Sequence, residues 1–515
     1  MKKPQIIIPM TGIGQRFVDA GHFQIKPLIK IGNSTIIDEV MAMFPGIEDP
    51  LFIISKDHKQ NLELSSYLKT RWPKSNISEI AAHKLGPGHA IYQSRDFIDP
   101  NRPVIVSYCD FSGNWDFEHF CEELSNIDCL VLTYTGFHPH MLRNTKYAYV
   151  KKDDAGFVTW IQEKNSFTDF PTSEEASAGL YAFSNGELLI RALAEQLDKN
   201  YSHKGEYYIS LTIIPLLKSN YKVRTYLMQK FIQLGTPEDL SDWKYLYGAI
   251  RHDTLAKRRD FTEVKRPENA VILAGGMGSR LSDFLQVPKP FLQVKGKELW
   301  KHSLSAVESV SNKYLILRKE FIKYLEKDKI ADLNTIVLEN PTQGQCETAK
   351  YALENISKNN YPITFLSCDN YINFSDYENA IAKLQNSDLI VWGCDTYPMS
   401  KYHPSRYSWI NTEKDKVVGF SLKDLPDNFS HPSMVVGNFT FKTAEFAREL
   451  IKECFNTSER YSSEIYLDSV IQIALERGYK VSVVNLENFF AVGTEDELNI
   501  YKYYLDIKMS RDFSL

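Results

Sequence analysis

A single turn occurs twice in this chain, and whatever fold accommodates the first copy has to be built again for the second. The first copy reads Ile6-Ile7-Ile8-Pro9-Met10-Thr11-Gly12-Ile13-Gly14-Gln15-Arg16-Phe17 and is followed by Lys26-Pro27-Leu28. The second reads Ala270-Val271-Ile272-Leu273-Ala274-Gly275-Gly276-Met277-Gly278-Ser279-Arg280-Leu281 and is followed by Pro288-Lys289-Pro290-Phe291-Leu292. Each is a short apolar run of the kind that forms a buried strand, then a glycine turn, an arginine and, further on, a lysine.

Other landmarks keep the same register. Asp110 matches Asp369, and Gly179, Glu206 and Gly235 match Gly437, Glu464 and Gly493. A period this long is two duplicated domains rather than a solenoid. The length of 515 residues also exceeds what one ordinary core supports. The expected organisation is a first domain over 1–250, a linker over 251–268 and a second domain over 269–515. The charged stretch Arg251-His252-Asp253-Thr254-Leu255-Ala256-Lys257-Arg258-Arg259-Asp260 puts the boundary near residue 260.

Within each half, short apolar runs alternate with helical patterns. Strands are expected at Gln5–Ile8, Leu51–Ile54, Val104–Ser107 and Cys129–Tyr134, and again at Ala270–Leu273, Tyr314–Leu317, Ile363–Ser367 and Leu389–Trp392. This alternation predicts an α/β chain of two tandem Rossmann-like domains, each a mixed, mostly parallel sheet flanked by helices. Ligands of such sheets sit at the carboxyl ends of the strands, where both glycine turns fall.

The turn chemistry suits a polyphosphate. Glycine lets backbone amides approach an anion closely, which makes Met10, Thr11, Gly12 and Gly14, with Ala274, Gly275, Gly276 and Gly278, candidate phosphate contacts. The helix after each turn offers its positive end. Arg16 and Arg280 can fork onto phosphate oxygens, and Lys26 and Lys289 add a mobile charge. A dinucleotide fingerprint is excluded because Phe17 and Leu281 stand where its third glycine belongs, and a P-loop is excluded because no Gly-Lys-Ser/Thr follows. Asp110 and Asp369 each follow the third expected strand of their half. A carboxylate there faces the crevice and can hold Mg²⁺ (or Mn²⁺) against substrate phosphates.

These motifs resemble the signature of the sugar-phosphate nucleotidyltransferases, also called nucleotide-sugar pyrophosphorylases. The second copy looks like the standard form, and the first is similar to a variant seen in capsule and surface-sugar enzymes. The resemblance covers nearly all of both halves. It implies transfer of a nucleoside monophosphate from a nucleoside triphosphate to a sugar phosphate or similar phosphorylated metabolite, with release of pyrophosphate, for surface polysaccharide or glycoconjugate precursors. It also implies that Asp110 and Asp369 bind metal, and that the loops with Gly88 and with Gln343 and Gly344 lie against the base. By the same resemblance Glu163, Lys164 and Gly179, with Lys423 and Gly437, grip the sugar phosphate.

The chain departs from the family in places. Gln233 and Ala491 stand where a second acidic or amide metal ligand precedes a late Gly-Thr. The second half has no glutamate before Lys423. Leu211 replaces an aspartate that survives, displaced by one position, as Asp468. Two other readings follow: one half is a regulatory or scaffolding copy, or the chain is a glycosyltransferase of the related sheet type. The latter lacks its usual Asp-x-Asp pair, since Cys109-Asp110-Phe111 and Cys368-Asp369-Asn370 are not that pattern.

Composition removes several classes. A net charge of −5 gives no footprint for nucleic acid or an anionic membrane, and no apolar run is long enough to span a bilayer. The seven cysteines are scattered without a CxxC pair, which predicts neither zinc nor a disulfide framework and fits a reducing cytoplasm. The start lacks a signal-peptide pattern. The expected partners are therefore small molecules, with a homo-oligomer compatible.

Overall fold

The computed structural model describes residues 2–12, 14–57, 60–251, 266–276, 278, 281, 287–325, 333–371, 374–457, 464–487, 489–505 and 507. The chain forms two compact units, Met1–Lys244 with Asp506–Leu515, and Tyr245–Leu505. Of the stretch expected to link two domains, 252–265 lies outside the described residues.

In unit 1 nine of the described strands make one sheet. Asn76–Ile80, Leu51–Ser55, Gln5–Met10 and Val104–Ser107 lie side by side and parallel in that order. Glu175–Phe183 then runs antiparallel to Val104–Ser107 and carries Cys129–Tyr134 on its other side, also antiparallel. Val223–Leu227 closes that edge parallel to Cys129–Tyr134. The inner parallel strands are apolar because both faces are covered, and Gln5–Met10 is buried along its whole length. On one face Ile7, Leu51, Ile53 and Val106 pack with Ala90 and Ile91 of the helix Pro87–Gln93 and with Leu189 and Leu193 of the helix Gly186–Asp198.

Unit 2 repeats the plan. Leu333–Leu338, Val310–Arg318, Arg266–Ala274 and Ile363–Ser367 are parallel neighbours, and Pro432–Phe441 lies antiparallel between Ile363–Ser367 and Leu389–Cys394. The long antiparallel strand has a bulge in the same place in both units. The register against its neighbour shifts between Ser177 and Leu180 in one and opposite Val391 and Gly393 in the other. At the bulge Gly179 has φ 92° and Gly437 φ 79°, left-handed values that favour glycine.

In both units the first strand of the half lies between the second strand on one side and the Asp-bearing strand on the other. The chain therefore leaves in opposite directions from two adjacent carboxyl ends, and the crevice opens there. Among the described residues no helix is long and apolar enough to cross a membrane.

Candidate active site

The described glycines of the two turns match. Gly14 and Gly278 have φ 64° and 66°, and a Cβ on either would face the Cβ of the following lysine, at 3.2 Å from Lys26 and 3.5 Å from Lys289. Gly12 and Gly276 differ from these: a Cβ there would meet nothing within 4 Å. Among the described residues no packing constraint demands glycine at those two positions, so the face of the turn is open to an approaching group. Gly275 is glycine for an internal reason, since a Cβ would come 2.4 Å from Leu338 Cδ1. Met10 and Ala274 are the buried last residues of their strands, and Thr11 is half-buried.

The helix after the first turn is only one turn long, Gln15–Asp19, so the dipole expected there is small and the turn amides carry the electropositive character. Arg16 on it is exposed, and its charge acts on the Tyr208 phenol, which burial and a hydrogen bond with Glu206 otherwise push up. Arg280 lies outside the described residues.

Each lysine is paired with the aspartate of the neighbouring strand. Lys26 Nζ lies 3.0 Å from Asp110 Oδ2, and Lys289 Nζ lies 2.6 Å from Asp369 Oδ2. Burial works against both ammonium groups, yet the adjacent carboxylates leave the two lysines above their ordinary value. Burial likewise works against the Asp369 carboxylate, and Lys289 holds it below the usual range. The Ser367 hydroxyl also donates to Asp369 Oδ1. The preceding thiols are pushed up by burial, Cys109 to about 11 and Cys368 to about 12, so neither is a thiolate at neutral pH.

A second donor approaches each aspartate, by a different route in each unit. The strand Lys230–Gln233 pairs with Phe111–Asn114 directly after Asp110. A Cβ on Gly235 would lie 2.5 Å from Gln233 Nε2 and 3.3 Å from Asp110 Oδ2, so the Gln233 amide and the Asp110 carboxylate converge on that glycine. In unit 2, Ala491 pairs with Asn370 and brings no donor. The gap is covered by Glu497: a Cβ on Gly493 would be 3.0 Å from Asp369 Oδ2 and 3.3 Å from Glu497 Oε2. Glu497 is buried and accepts from the Gly493 and Thr494 amides at 2.8 and 3.0 Å and from the Tyr397 hydroxyl at 3.0 Å. Its counterpart Asp239 caps Thr236 and is paired with Arg143. These two acids escaped the sequence reading, although Thr236-x-x-Asp239 and Thr494-x-x-Glu497 are capping-box spacings.

Among the described residues no group of three or more His, Cys, Asp or Glu converges as a metal cage. One carboxylate with an amide or second carboxylate nearby is nevertheless the donor set that suits Mg²⁺ when substrate phosphates supply the other oxygens. Mg²⁺ or Mn²⁺ therefore fits both sites.

The loops expected near the base begin helices in both units. Gly344, φ 133°, precedes the helix Gln345–Glu354, and the exposed Gln343 donates its amide to Glu347. The positional partner of Gly344 is Gly86, φ 85°, which precedes the helix Pro87–Gln93 and was not singled out from the sequence. Gly88 is buried inside that helix, where a Cβ would strike the Tyr207 carbonyl at 2.8 Å. The space at Gly88 is thus filled by the protein itself.

Of the residues expected on the sugar side, those of unit 1 gather round Tyr108 and Tyr208. Glu163 is buried and lies 3.2 Å from Lys164 Nζ, and the ammonium sits 4.9 Å above the Tyr208 ring. Gly179 faces Tyr108, whose Cδ2 would be 2.9 Å from an added Cβ. In unit 2, Lys423 Nζ sits 4.7 Å above the Tyr466 ring, and Gly437 faces the Gln345 amide.

The chain is 24% identical over 261 residues to the bifunctional protein GlmU of Methanocaldococcus jannaschii, a match that covers 50% of this chain and 58% of that protein. It is 31% identical over 134 residues to the bifunctional protein GlmU of Pseudothermotoga lettingae, covering 25% of this chain and 28% of that one. The chain thus spans less than two thirds of the length of these curated relatives. Among solved structures, a nucleoside-diphosphate-sugar pyrophosphorylase from Vibrio cholerae RC9 superposes with a TM-score of 0.40 at 20% identity, covering 46% of this chain and 99% of that one. The nucleotidyl transferase family matches residues 5–249 and again 269–507, and the chain belongs to that family in both halves.

Proposed function

We propose that each half transfers a nucleoside monophosphate from a nucleoside triphosphate to the phosphate of a sugar phosphate or similar polar metabolite, releasing pyrophosphate. The observation that carries this reading is the twin cradle: an open-faced glycine, a left-handed glycine, and a lysine held on an aspartate at the end of the neighbouring strand. The acceptor phosphate attacks in line. A bond forms from its oxygen to the α-phosphorus, and the bond from the α-phosphorus to the bridging oxygen breaks. A phosphate nucleophile is already anionic, so no general base is required, and the protonated Cys109 and Cys368 take no part as nucleophiles.

Positioning and charge neutralisation then make up most of the catalysis. The turn amides face the triphosphate, and Lys26 or Lys289 stays cationic beside the leaving group. Arg16 and Arg280 are assigned to phosphate oxygens. Mg²⁺ or Mn²⁺, held by Asp110 and Asp369, supplies further neutralisation of phosphate charge when bound. Gly86 in unit 1 and Gln343 with Gly344 in unit 2 are assigned to the base. Glu163, Lys164 and Gly179, with Lys423 and Gly437, are assigned to the phosphorylated acceptor. The products suit activated precursors of surface polysaccharide or glycoconjugates, made in the cytoplasm.

The test is pyrophosphate release from a panel of triphosphates and sugar phosphates with Mg²⁺ or Mn²⁺. Wild type is expected to turn over. Asp110→Ala and Asp369→Ala are each expected to remove one activity and leave the other, and the double variant to be silent. Loss of all turnover by one of these single changes would assign the other half a regulatory role. Silence of wild type across the panel would contradict the proposal.

A further inference from the structure

The two halves carry the same polar cluster on the acceptor side, assembled from exchanged positions. In unit 1 the carboxylate is Glu163, at the end of the strand Val158–Gln162, and its Oε2 accepts from Ser210 Oγ at 2.5 Å. Lys164 adjoins it with φ 67°. In unit 2 the matching lysine, Lys423, has φ 56°, but the residue before it is Leu422.

The carboxylate has not been lost. Asp468 stands where unit 1 has Ser210, two residues after the tyrosine whose ring lies beneath the lysine, Tyr466 here and Tyr208 there. Asp468 is buried, and its Oδ2 accepts from Ser408 Oγ at 2.5 Å. Ser408 in turn stands where unit 1 has Ala148. The carbonyl of each receives the amide of the strand residue two before the bulge glycine, Ser177 to Ala148 at 2.7 Å and Val435 to Ser408 at 2.8 Å. Burial pushes the Asp468 carboxyl up, and the Lys423 ammonium pulls it back.

Lysine, tyrosine, hydroxyl and carboxylate are therefore all retained, with the carboxylate and hydroxyl moved to new elements. A buried carboxylate is costly, and packing alone is served better by apolar residues. Leu422 shows that an apolar residue is accepted at the old position, so packing alone does not account for the carboxylate at Asp468. The surroundings differ as well. The Ser177–Tyr181 hydrogen bond of unit 1, 2.7 Å, has no counterpart, because Val435 and Phe439 occupy those places.

We propose that Asp468 is the hydroxyl acceptor for the phosphorylated substrate of the second half, and that its displacement from the Glu163 position makes the two halves select different polyhydroxylated monophosphates. The proposal rests on the nucleotidyltransferase reading above. Asp468 is one methylene shorter than Glu163 and projects from the turn Leu467–Ser469 rather than from a strand end, so it presents its lone pairs to a hydroxyl from another direction relative to the lysine.

The test uses the full chain with one half silenced. Asp110→Ala reports the second half and Asp369→Ala the first. Each is assayed for pyrophosphate release with glucose 1-phosphate, N-acetylglucosamine 1-phosphate, ribitol 5-phosphate and glycerol 3-phosphate, and with phosphocholine as a hydroxyl-free control. The two chains are expected to prefer different monophosphates and to reject phosphocholine. In the Asp110→Ala chain, Asp468→Asn should raise KM for the preferred monophosphate roughly 10- to 100-fold, the loss of a charged hydrogen bond, with KM for the triphosphate unchanged. Glu163→Gln should have that effect only in the Asp369→Ala chain.

Ser408→Ala, which removes only the group orienting Asp468, should act in the same direction and more weakly, so the idea stays testable if Asp468→Asn folds poorly. The same preference in both halves, or an acceptor KM indifferent to Asp468→Asn and Ser408→Ala, would overturn the proposal while leaving the nucleotidyltransferase reading intact. Absence of turnover in the unmodified chain would instead remove that reading, and this one with it.

Discussion

An added Cβ at Gly276 meets none of the described residues within 4 Å, whereas one at its neighbour Gly275 is hemmed in by Leu338 and Thr348. The two glycines are adjacent in sequence and answer to different constraints, and alanine scanning separates them. Gly275→Ala forces a Cβ into the Leu338 methyl and should cost about 1–3 kcal/mol of stability. Gly276→Ala meets no atom of the described residues within 4 Å, so thermal unfolding should be unchanged, while KM for the triphosphate in the second half rises about tenfold through the crowded approach. A melting-temperature loss for Gly276→Ala with unaltered KM would show that the open space is not where phosphate binds.

At the scale of elements, the same bulged strand tolerates its glycine change differently in the two units. A Cβ at Gly179 meets the half-buried Tyr108 ring at 2.9 Å, whereas at Gly437 the nearest atom is the end of the Gln345 side chain at 3.7 Å. Both positions carry the left-handed penalty of about 1 kcal/mol. Gly179→Ala should therefore destabilise its unit by about 1–3 kcal/mol more than Gly437→Ala destabilises the other, as urea titration of each variant would show.

Elements also explain what was legible beforehand. The parallel strands were readable because burial on both faces makes them continuous apolar runs, as in Ile6-Ile7-Ile8 and Val104-Ile105-Val106. Glu175–Phe183 escaped as a strand because Ala176-Ser177-Ala178-Gly179 is small-residue sequence shaped by the bulge, with no alternation to read. Asn76–Ile80 escaped because it is partly exposed and polar. The glycine turn and the lysine and aspartate positions were visible because duplication repeats them. Gly86, Asp239, Glu497 and the exchange that brings Asp468 and Ser408 together were not. Their roles depend on which distant segments meet, and an exchanged pair leaves no shared motif.

At the scale of the whole molecule, the first unit carries an acid sensitivity at a pair of buried histidines. His138 and His140 lie buried beside the stacked Tyr134 and Phe231 rings. Burial pushes the His138 imidazole down to about 4, although its bond to the Gly136 carbonyl opposes this. The unfolded chain takes up this proton near the ordinary value of about 6.5, and the folded chain does not until about 4. Stability is therefore complete above pH 6.5 and declines as pH falls toward 4, by on the order of 3 kcal/mol for this residue. Unfolding followed at pH 7.5 and pH 4.5 should show the decline in wild type, and His138→Gln should lessen it. An equal decline in both proteins would exclude His138 as a source.

The central claim is that each half holds a triphosphate on glycine amides with a lysine anchored by an aspartate. Isothermal titration of the full chain with nucleoside triphosphates and Mg²⁺ measures this directly. The account predicts two triphosphates per chain, with Lys26→Met and Lys289→Met each abolishing a different one. A single site in the wild-type chain, or two sites indifferent to both lysine changes, would contradict it.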